Sequence, residues 1–355
     1  MALESRGGAR MTVTMKPAFL TIALALLTAL ALPAQQAEIV SVQKIWDKAP
    51  HNAFTDLVRF KNLFLCCFRE GNGHVGGDGV IRVLISSSGD TWVDYATIAE
   101  AGVDLRDPKF QVTPDGKQLY LLCGGSIYEG TQLKGRRPRY ATSIDGKVWT
   151  PPQKLLAEGD WLWRVTVNPA DSKFYGAAYN GYPTTGGPKF EDEWSLKTYS
   201  SADGRVWQLS SILQVPGQPN ETTLRFLKDG SAVALVRREA GDRKGAIGVA
   251  QAPYRQWTWT ALSVPLGGPN FIELPDGSLV AGSRGFGQTP GPHMVLYKMT
   301  KTGLEPLLEL PSGGDCSYPG LVWHEGQLHV SYYSSHEGKS AIYHARVRLP
   351  WVKEP

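Results

Sequence analysis

Polar side chains of a few types recur along this 355-residue chain at the ends of short apolar segments that read as β-strands. Most are arginines, carboxylates or tyrosines. Arginine binds anionic groups through paired hydrogen bonds, whereas carboxylates and tyrosine transfer protons or attack electrophiles. The segment starts carry Asp56, Arg106, Asp107, Arg164, Asn220, Glu221, Asn270 and Tyr318, and the segment ends carry Arg69, Glu70, Tyr179, Asn180, Arg237, Arg238, Glu239, Arg284 and Tyr333. If the fold gathers these positions, the arginines predict an anionic or heavily hydroxylated ligand.

The elements that carry these residues belong to a repeat. Three windows follow the pattern S-x-[DS]-G-x-[TV]-W, and their tryptophans, Trp92, Trp149 and Trp207, are 57 and 58 residues apart. A worn fourth copy ends at Trp257. Each window predicts a turn, in which serine and aspartate side chains bond to the backbone, glycine supplies a positive φ and tryptophan is buried beneath. Three copies at nearly equal spacing indicate a repeat architecture.

A second pattern supports the repeat. Two-residue turn pairs flanked by alternating apolar residues predict β-hairpins. These pairs are Lys61-Asn62, Asp115-Gly116, Asp171-Ser172, Asp229-Gly230, Asp276-Gly277 and Glu325-Gly326. Two hairpins per repeat make a four-stranded sheet, and six such sheets predict an all-β, six-bladed propeller with antiparallel blades. The N-terminal segment 39–46 is expected to complete the sixth blade and close the ring. Tandem β-sandwiches, the rival fold, would not give one period throughout.

Composition and the N-terminus limit the class of protein. The chain has 37 basic and 33 acidic residues, a net charge of +4 that is too small and too evenly spread to indicate nucleic-acid binding. Arg10 and Lys16 precede an unbroken apolar run over 18–32, which predicts a signal peptide over residues 1–34 and a secreted or periplasmic protein. An uncleaved anchor is the alternative. No later stretch predicts a membrane span, and residues 38–350 are expected to form one propeller domain.

Cysteine and histidine spacing predicts neither a disulfide scaffold nor a metal site. Four cysteines in a chain of this length indicate small buried side chains with at most one disulfide. The seven histidines show no H-x-x-x-H spacing, and the cysteines form no pair with ligand spacing. Residues 71–76 spell G-x-G-x-x-G but lead into a strand and not a helix, so they predict no dinucleotide site. We therefore expect no cofactor.

Six repeats, their boxes and a secretion signal resemble the sialidase superfamily of six-bladed propellers, over nearly all of the mature chain. Asn220-Glu221 opens the fourth blade, and Arg237 follows Glu221 by sixteen residues at the end of the second strand. The segment 316–321 opens the sixth blade with Tyr318. The resemblance implies that Tyr318 is the nucleophile, Glu221 its general base and Arg237 one arginine of a carboxylate-binding triad. A neutral tyrosine suits sialic acid, whose own carboxylate would repel a carboxylate nucleophile.

The resemblance also implies the remaining site residues. The acid that protonates the leaving group is expected in the loop 69–78, where Asp78 has the expected type and His74 lies closer to the expected position. The expected substrate-binding residues are Arg69, Arg106, Asp107, Arg237, Arg284 and Asp56. The chain departs from the family at residues 53–57, where Ala-Phe-Thr-Asp-Leu replaces a segment that begins with arginine. Another acidic sugar therefore fits as well as sialic acid.

These observations predict a secreted glycoside hydrolase of the exo-α-sialidase type, which cleaves a terminal, acidic sugar from a glycan through Tyr318 and Glu221. Two other classes stay open. A lyase acting on uronic acid polymers would use Tyr318 or His74 to abstract a proton beside a carboxylate neutralised by arginine. A non-catalytic propeller that binds sugar or protein would show binding without turnover.

Overall fold

A computed structural model describes residues 36–76, 79–181, 194–285 and 289–353, together with isolated positions before residue 13. Apart from those positions, the predicted signal peptide lies outside the described residues, and so does Asp78. The four ranges contain β-strands, turns and loops, and none of their residues is helical. In this part of the chain, accordingly, no helix is long and apolar enough to cross a membrane.

The strands form six four-stranded antiparallel sheets, which confirms the predicted six-bladed propeller. Blade 1 consists of β2 (His51–Phe60), β3 (Leu63–Gly71), β4 (Val80–Ser86) and β5 (Val93–Ile98). Blade 2 consists of β6 (Asp104–Val112), β7 (Leu119–Glu129), β8 (Gln132–Ser143) and β9 (Gln153–Lys154). Blade 3 consists of β10 (Trp161–Asn168), β11 (Lys173–Asn180), β12 (Ser195–Ser201) and β13 (Gln208–Leu213). Blades 4 and 5 consist of β14 (Pro219–Phe226), β15 (Ala232–Arg238), β16 (Lys244–Ala250) and β17 (Thr258–Pro265); and β18 (Asn270–Glu273), β19 (Leu279–Gly285), β20 (His293–Met299) and β21 (Leu304–Leu310). Blade 6 consists of β22 (Cys316–His324), β23 (Gln327–Ser334), β24 (Ala341–Arg348) and the N-terminal β1 (Glu38–Trp46).

The first strand of the chain closes the ring, as predicted. β1 pairs antiparallel with β24, from Glu38 opposite Arg348 to Trp46 opposite Ile342. The indole Nε1 of Trp46 also donates a hydrogen bond of 2.6 Å to Glu70 in blade 1. The N-terminal strand thus covers the open edge of blade 6 and ties that blade to its neighbour.

The turn residues explain where the inner hairpins bend. Lys61 and Asn62, between β2 and β3, have φ angles of 50° and 65°, and Glu325 and Gly326, between β22 and β23, have φ angles of 48° and 71°. Two successive positive φ angles make a type I′ turn, whose twist matches that of the flanking strands. All six predicted turn pairs lie between the first and second strands of a blade.

The tryptophan boxes lie between the third and fourth strands of their blades. In blade 3, Oδ1 of Asp203 accepts hydrogen bonds from the backbone N–H groups of Arg205 and Val206, at 2.8 and 3.0 Å. Nε1 of Trp207 donates to the carbonyl of Gly204 at 3.0 Å. The fourth copy keeps the same anchor: Trp257 Nε1 donates to the carbonyl of Tyr254 at 3.1 Å. Tyr254 there adopts the positive φ, 60°, that glycine adopts elsewhere.

The first strands of five blades carry a β-bulge near their start. The pairing register shifts there in β2, β6, β10, β14 and β22. A bulge turns a side chain away from the regular alternation of a strand. The bulged stretches contain Phe54, Asp107, Trp163, Glu221 and Tyr318. Because the first strands begin at the same face of the ring, these five side chains are brought to one face, which we call the mouth.

The box of blade 3 yields a stability prediction. Replacing Asp203 by alanine removes two turn hydrogen bonds at an exposed site, and we expect a loss of about 1 kcal/mol in the free energy of unfolding. Those backbone bonds hold the pKa of Asp203 below its usual value. The stabilisation is therefore present above the unfolded pKa, about 4, and is lost as the pH falls below it. Urea unfolding at several pH values measures the difference.

The control is Arg205→Ala in the same turn. Its side chain is exposed, while its backbone N–H still donates to Asp203. We expect it to change the free energy of unfolding by less than about 0.5 kcal/mol. Equal losses in both variants, or a loss at Asp203 that stays constant down to low pH, would contradict the role of the carboxylate.

Candidate active site

Tyr318 and Glu221, on blades 6 and 4, are in direct contact at the mouth. The Tyr318 hydroxyl donates a hydrogen bond of 2.5 Å to Oε1 of Glu221. Oε2 of Glu221 accepts two further bonds of 2.8 Å, from Arg237 Nη1 and from the backbone N–H of Gly268. Tyr318 is 8% exposed and Glu221 6%. Both carboxylate oxygens are therefore held in place while the tyrosine keeps a small accessible surface.

The electrostatics of the pair fix its protonation. Burial raises the pKa of Tyr318 well above its usual value, and the charge of Glu221 raises it further. Burial alone would also raise the pKa of Glu221, but the charge of Arg237 and the three hydrogen bonds hold it below its usual value. The resting pair is a neutral phenol and an ionised carboxylate. A proton released by Tyr318 thus has an acceptor already in contact with it.

Aromatic rings fix the orientation of Tyr318. The centroids of Phe54, Trp163 and Tyr333 lie 5.0, 5.4 and 5.7 Å from the centroid of its ring. The buried ammonium group of Lys109 lies 5.6 Å from the same centroid. Two of these rings come from β-bulges of blades 1 and 3. The bulges therefore supply the catalytic candidates and also the packing that positions them.

A cavity of about 300 Å³ opens onto this pair. Its walls include both partners of the pair and a basic and aromatic side formed by Arg136, Trp161 and Tyr179, with the Arg136 guanidinium 5.2 and 5.1 Å from the two ring centroids. A larger groove of about 980 Å³ follows the outer strand of blade 4 and contains none of the predicted site residues. The smaller cavity is the better candidate site, because buried ionisable side chains from several blades converge there.

Three of the predicted arginines lie near Tyr318, and two of them, Arg106 and Arg237, line the cavity, whereas Arg284 does not. Burial alone would lower the pKa of each arginine, but the negative charge of nearby carboxylates raises it. Each also faces a carboxylate of the protein. Arg237 lies 2.6 Å from Glu239, and Arg284 lies 3.5 Å from Asp315. Arg106 lies 3.8 Å from the carboxylate of Asp107. Each of these arginines thus has a carboxylate of the protein beside it.

Asp107 is a second buried carboxylate of the cavity wall. It adopts a φ of 52° in the bulge of blade 2, and its side chain lines the cavity beside Tyr318 and Glu221. Within the described part of the chain, its buried Oδ1 has no hydrogen-bond partner. Burial raises the pKa of Asp107, although the charges of Arg106 and Lys109 oppose the rise. Asp107 therefore keeps a proton to a higher pH than an ordinary aspartate.

Two predicted substrate-binding residues lie below the mouth. The side chain of Arg69 has no exposed surface, and its Nε lies 2.6 Å from Oδ1 of the equally buried Asp104. Both carboxylate oxygens of Asp56 accept hydrogen bonds from Nη1 of Arg164, at 3.0 and 3.1 Å. Oδ2 of Asp56 also accepts a bond of 2.8 Å from the backbone N–H of Phe110. The first pair joins blades 1 and 2, and Asp56 joins blade 1 to blades 2 and 3. Neither residue lines the cavity.

Of the two acids predicted in the loop between β3 and β4, His74 belongs to the described residues and lies at the edge of the site. His74 lines the cavity with a side chain that is 54% exposed, and its Nδ1 lies 3.0 Å from Oδ2 of Asp315. Asp78, the other predicted acid, is outside the described residues. The four cysteines, by contrast, are buried and free, and no disulfide contributes to the mouth.

Sequence reasoning missed several contributors to the site. Lys109 and Trp163 lie under Tyr318, and Asp315 contacts His74 and Arg284. Alternation could not have identified Lys109, because the bulge between Arg106 and Lys109 breaks the regular pattern of the strand. Asp315 stands only three residues before Tyr318, but nothing in its own segment distinguishes it from a solvated loop acid.

Comparison with solved structures identifies the fold. The chain resembles a Trypanosoma rangeli sialidase in complex with sialic acid (TM-score 0.66, 12% identity, 90% of this chain) and spans 59% of the length of that protein. It also resembles a Fusarium graminearum α-L-arabinofuranosidase in complex with an iminosugar inhibitor (TM-score 0.67, 13% identity, 88% of this chain, 99% of the other). A third is a Penicillium chrysogenum α-L-arabinanase complexed with arabinobiose (TM-score 0.67, 14% identity, 89% and 100%). No protein-family model matches the sequence, and no curated protein is significantly similar to it.

The ion pair of Arg69 gives a test that separates a buried role from substrate binding. Arg69→Met removes the 2.6 Å partner of the buried Asp104 carboxylate and leaves it only the longer contact with Arg106, at 3.8 Å, so we expect a loss of up to about 3–5 kcal/mol in the free energy of unfolding. The double variant Arg69→Met/Asp104→Leu removes both charges and is expected to recover most of that loss. Urea unfolding measures both. A single variant of wild-type stability would show that the ion pair does not support the fold.

Proposed function

We propose that this chain is a glycoside hydrolase, built on the propeller fold that it shares with sialidases and arabinanases, and that Tyr318 is its nucleophile. The observation that carries the proposal is the 2.5 Å hydrogen bond from Tyr318 to Glu221 at the wall of the cavity. A buried tyrosine that donates to a buried, ionised glutamate is a nucleophile with its base in contact. The cavity of about 300 Å³ has room for one or two sugar rings at most.

The reaction has two steps. Tyr318 attacks the anomeric carbon and its proton passes to Glu221, while the bond from that carbon to the leaving oxygen breaks. The leaving oxygen takes a proton from an acid, and the sugar stays bonded to the tyrosine oxygen. The deprotonated acid then activates a water molecule that displaces Tyr318, which recovers its proton from Glu221. Two displacements at one carbon retain its configuration.

We assign the acid role to Asp107. Its side chain lines the cavity with the nucleophile and the base, and burial raises its pKa, so that it holds a proton to transfer. After the first step its ionised form is stabilised by Arg106 and Lys109. His74, the acid that the sequence favoured by position, lies at the edge of the cavity with one ring nitrogen against Asp315.

The substrate proposed is a terminal acidic sugar, sialic acid or another that carries a carboxylate. Arg106 and Arg237 line the cavity from blades 2 and 4, where a carboxylate beside the anomeric carbon would lie, and Arg284 of blade 5 adds positive charge near Tyr318. Arg106 compensates for the missing arginine of residues 53–57, because its guanidinium lies 5.0 Å from the ring of Phe54, which occupies that segment. A secreted or periplasmic location, proposed from residues 1–34, would expose such a cavity to glycans.

A neutral sugar is the second candidate. Each of the three arginines already has a carboxylate of the protein within 3.8 Å, so an acidic substrate must compete with an internal ion pair. A neutral sugar would instead use the same side chains as hydrogen-bond donors and acceptors for its hydroxyl groups. Two of the structural neighbours are an α-L-arabinofuranosidase and an α-L-arabinanase.

Both candidates are tested by incubating the protein with aryl sialosides, aryl uronides and neutral aryl glycosides. Hydrolysis is measured by the amount of phenol released. We expect turnover on one class and a loss of at least about 10³-fold in kcat for Tyr318→Phe, because the nucleophile is removed. The matched control is Tyr332→Phe, whose buried hydroxyl bonds to the carbonyl of Pro311 away from the cavity. Proton NMR of the first product formed is expected to show retained configuration.

Three outcomes would reject the proposal. Turnover that survives in Tyr318→Phe excludes the tyrosine nucleophile. A product that absorbs in the ultraviolet on uronic acid polymers indicates the lyase. Sugar binding without turnover, unchanged in Glu221→Gln, indicates a binding propeller.

The acid role of Asp107 predicts a dependence on the leaving group. Asp107→Asn is expected to slow the release of alkyl leaving groups by about 10²–10⁴-fold and to affect aryl groups much less, since phenolates leave without protonation. The wild-type rate with alkyl groups is expected to fall as the pH rises through the raised pKa of Asp107, and this limb disappears in the variant. The comparison uses kcat/KM, which reports the first step alone, and an equal loss of kcat/KM for both kinds of leaving group would assign Asp107 to substrate binding.

A further inference from the structure

Three possible metal ligands from separate segments meet at the edge of the cavity. His51 begins β2 in blade 1, His74 lies in the loop between β3 and β4, and Asp315 directly precedes β22 in blade 6. One ligand atom from each lies within 4.8 Å of the others. Oδ2 of Asp315 is 3.0 Å from His74 Nδ1 and 3.9 Å from His51 Nε2. Ligand atoms around one tetrahedral ion with bonds of about 2.0–2.2 Å lie roughly 3.3–3.6 Å apart. The two distances from Asp315 fall on either side of that value, so the imidazoles must move inward for all three groups to bind one ion.

The carboxylate of the cluster is held from behind. Oδ1 of Asp315, the oxygen that does not face the histidines, accepts a hydrogen bond of 2.8 Å from the Tyr333 hydroxyl and lies 3.5 Å from Arg284. Metal-binding carboxylates are typically oriented by such outer contacts. The rings of His51 and His74 are 5.4 Å apart and nearly perpendicular, and Phe54 packs against both. These contacts hold the carboxylate and the two rings so that Oδ2 of Asp315 faces both Nδ1 of His74 and Nε2 of His51.

We propose that His51, His74 and Asp315 bind one divalent transition-metal ion, with zinc as the ion of best fit. Two imidazole nitrogens and one carboxylate oxygen suit zinc and its neighbours in the first transition row, whereas magnesium and calcium prefer ligand sets made of oxygen alone. Three protein ligands leave a fourth position for water or a ligand oxygen. Since His74 lines the cavity, that position serves an oxygen of the bound molecule, such as a hydroxyl or carboxylate of a sugar.

The cluster differs in one respect from an ordinary histidine–aspartate hydrogen bond. Such a bond needs one histidine, whereas here a second imidazole faces the same carboxylate oxygen. His324 and Glu325 give the simpler case elsewhere in the chain: they are 3.3 Å apart, and in the described residues they belong to no group of three possible metal ligands. They provide an internal control for unspecific binding of metal by a histidine–carboxylate pair.

Titration of the purified full-length protein tests the proposal. The protein is dialysed against a chelator and titrated with zinc in a calorimeter, and cobalt is added in parallel because its visible absorption reports tetrahedral nitrogen and oxygen ligands. We expect one equivalent of zinc in the wild type and in His324→Ala. His74→Ala and Asp315→Asn are each expected to weaken zinc binding by about 100-fold or more and to lose the cobalt spectrum. His74 is half-exposed, so its removal is expected to leave the fold intact.

The outcomes separate this proposal from the proposed function. Tyr318→Phe keeps all three ligands and is expected to bind zinc like the wild type, whether or not it turns over substrate. Absence of binding in the wild type, or equal binding in wild type and His74→Ala, overturns the metal site and leaves the tyrosine mechanism standing. A His74→Ala variant that binds zinc normally but loses turnover only with alkyl leaving groups also overturns it, and assigns the acid role to His74.

Discussion

Closure of the ring is the constraint on which the rest of the structure depends. β1 joins the last strand of the chain through a full antiparallel ladder, so that blade 6 is completed by the segment farthest from it in sequence. Isolated blades would expose apolar faces that the ring packs against one another. The site depends on this even more than the core does, because Asp107, Glu221, Arg284 and Tyr318 come from four blades. Their contacts exist only when every blade keeps its place.

Buried ion pairs between blades also fix the position of each blade relative to its neighbour. The pairs of Arg69 with Asp104 and of Arg164 with Asp56 cross from blade to blade beneath the mouth. A buried charge without its partner is strongly unfavourable, so any rotation of one blade against the next carries a large penalty. The polar contact of Thr55 with the carbonyl of Tyr318, at 2.7 Å, adds a tie between blades 1 and 6. These interactions align the strands whose first residues carry the chemistry.

The sequence was most informative where one period governs many residues. The spacing of Trp92, Trp149 and Trp207 is set by the size of a blade, so the number of blades and the closing strand could be predicted. The contact of Tyr318 with Glu221 also agreed with the resemblance. The depth of each polar side chain could not be predicted in this way. It depends on where a strand bulges, and neither composition nor alternation reveals that register.

The remaining misses have a different cause. His51 and Asp315 meet His74 from 23 and 241 residues away in sequence, so no local ligand spacing could reveal their cluster. Proximity of this kind is created by the closed ring alone. The burial of core residues could be predicted from the apolar pattern of their own strands. Contacts between residues of different blades could be recognised only in the three-dimensional structure.

The β-bulges have a consequence for how such a protein changes over evolutionary time. Each bulge is confined to one hairpin, but the bulge residues Phe54, Trp163 and Tyr318 pack against one another across three blades. A substitution at Asp107 therefore changes the cavity wall alone, whereas one at Phe54 or Trp163 also disturbs packing between blades. The polar wall of the cavity can thus change one blade at a time, while the aromatic support beneath it can change only in several blades together.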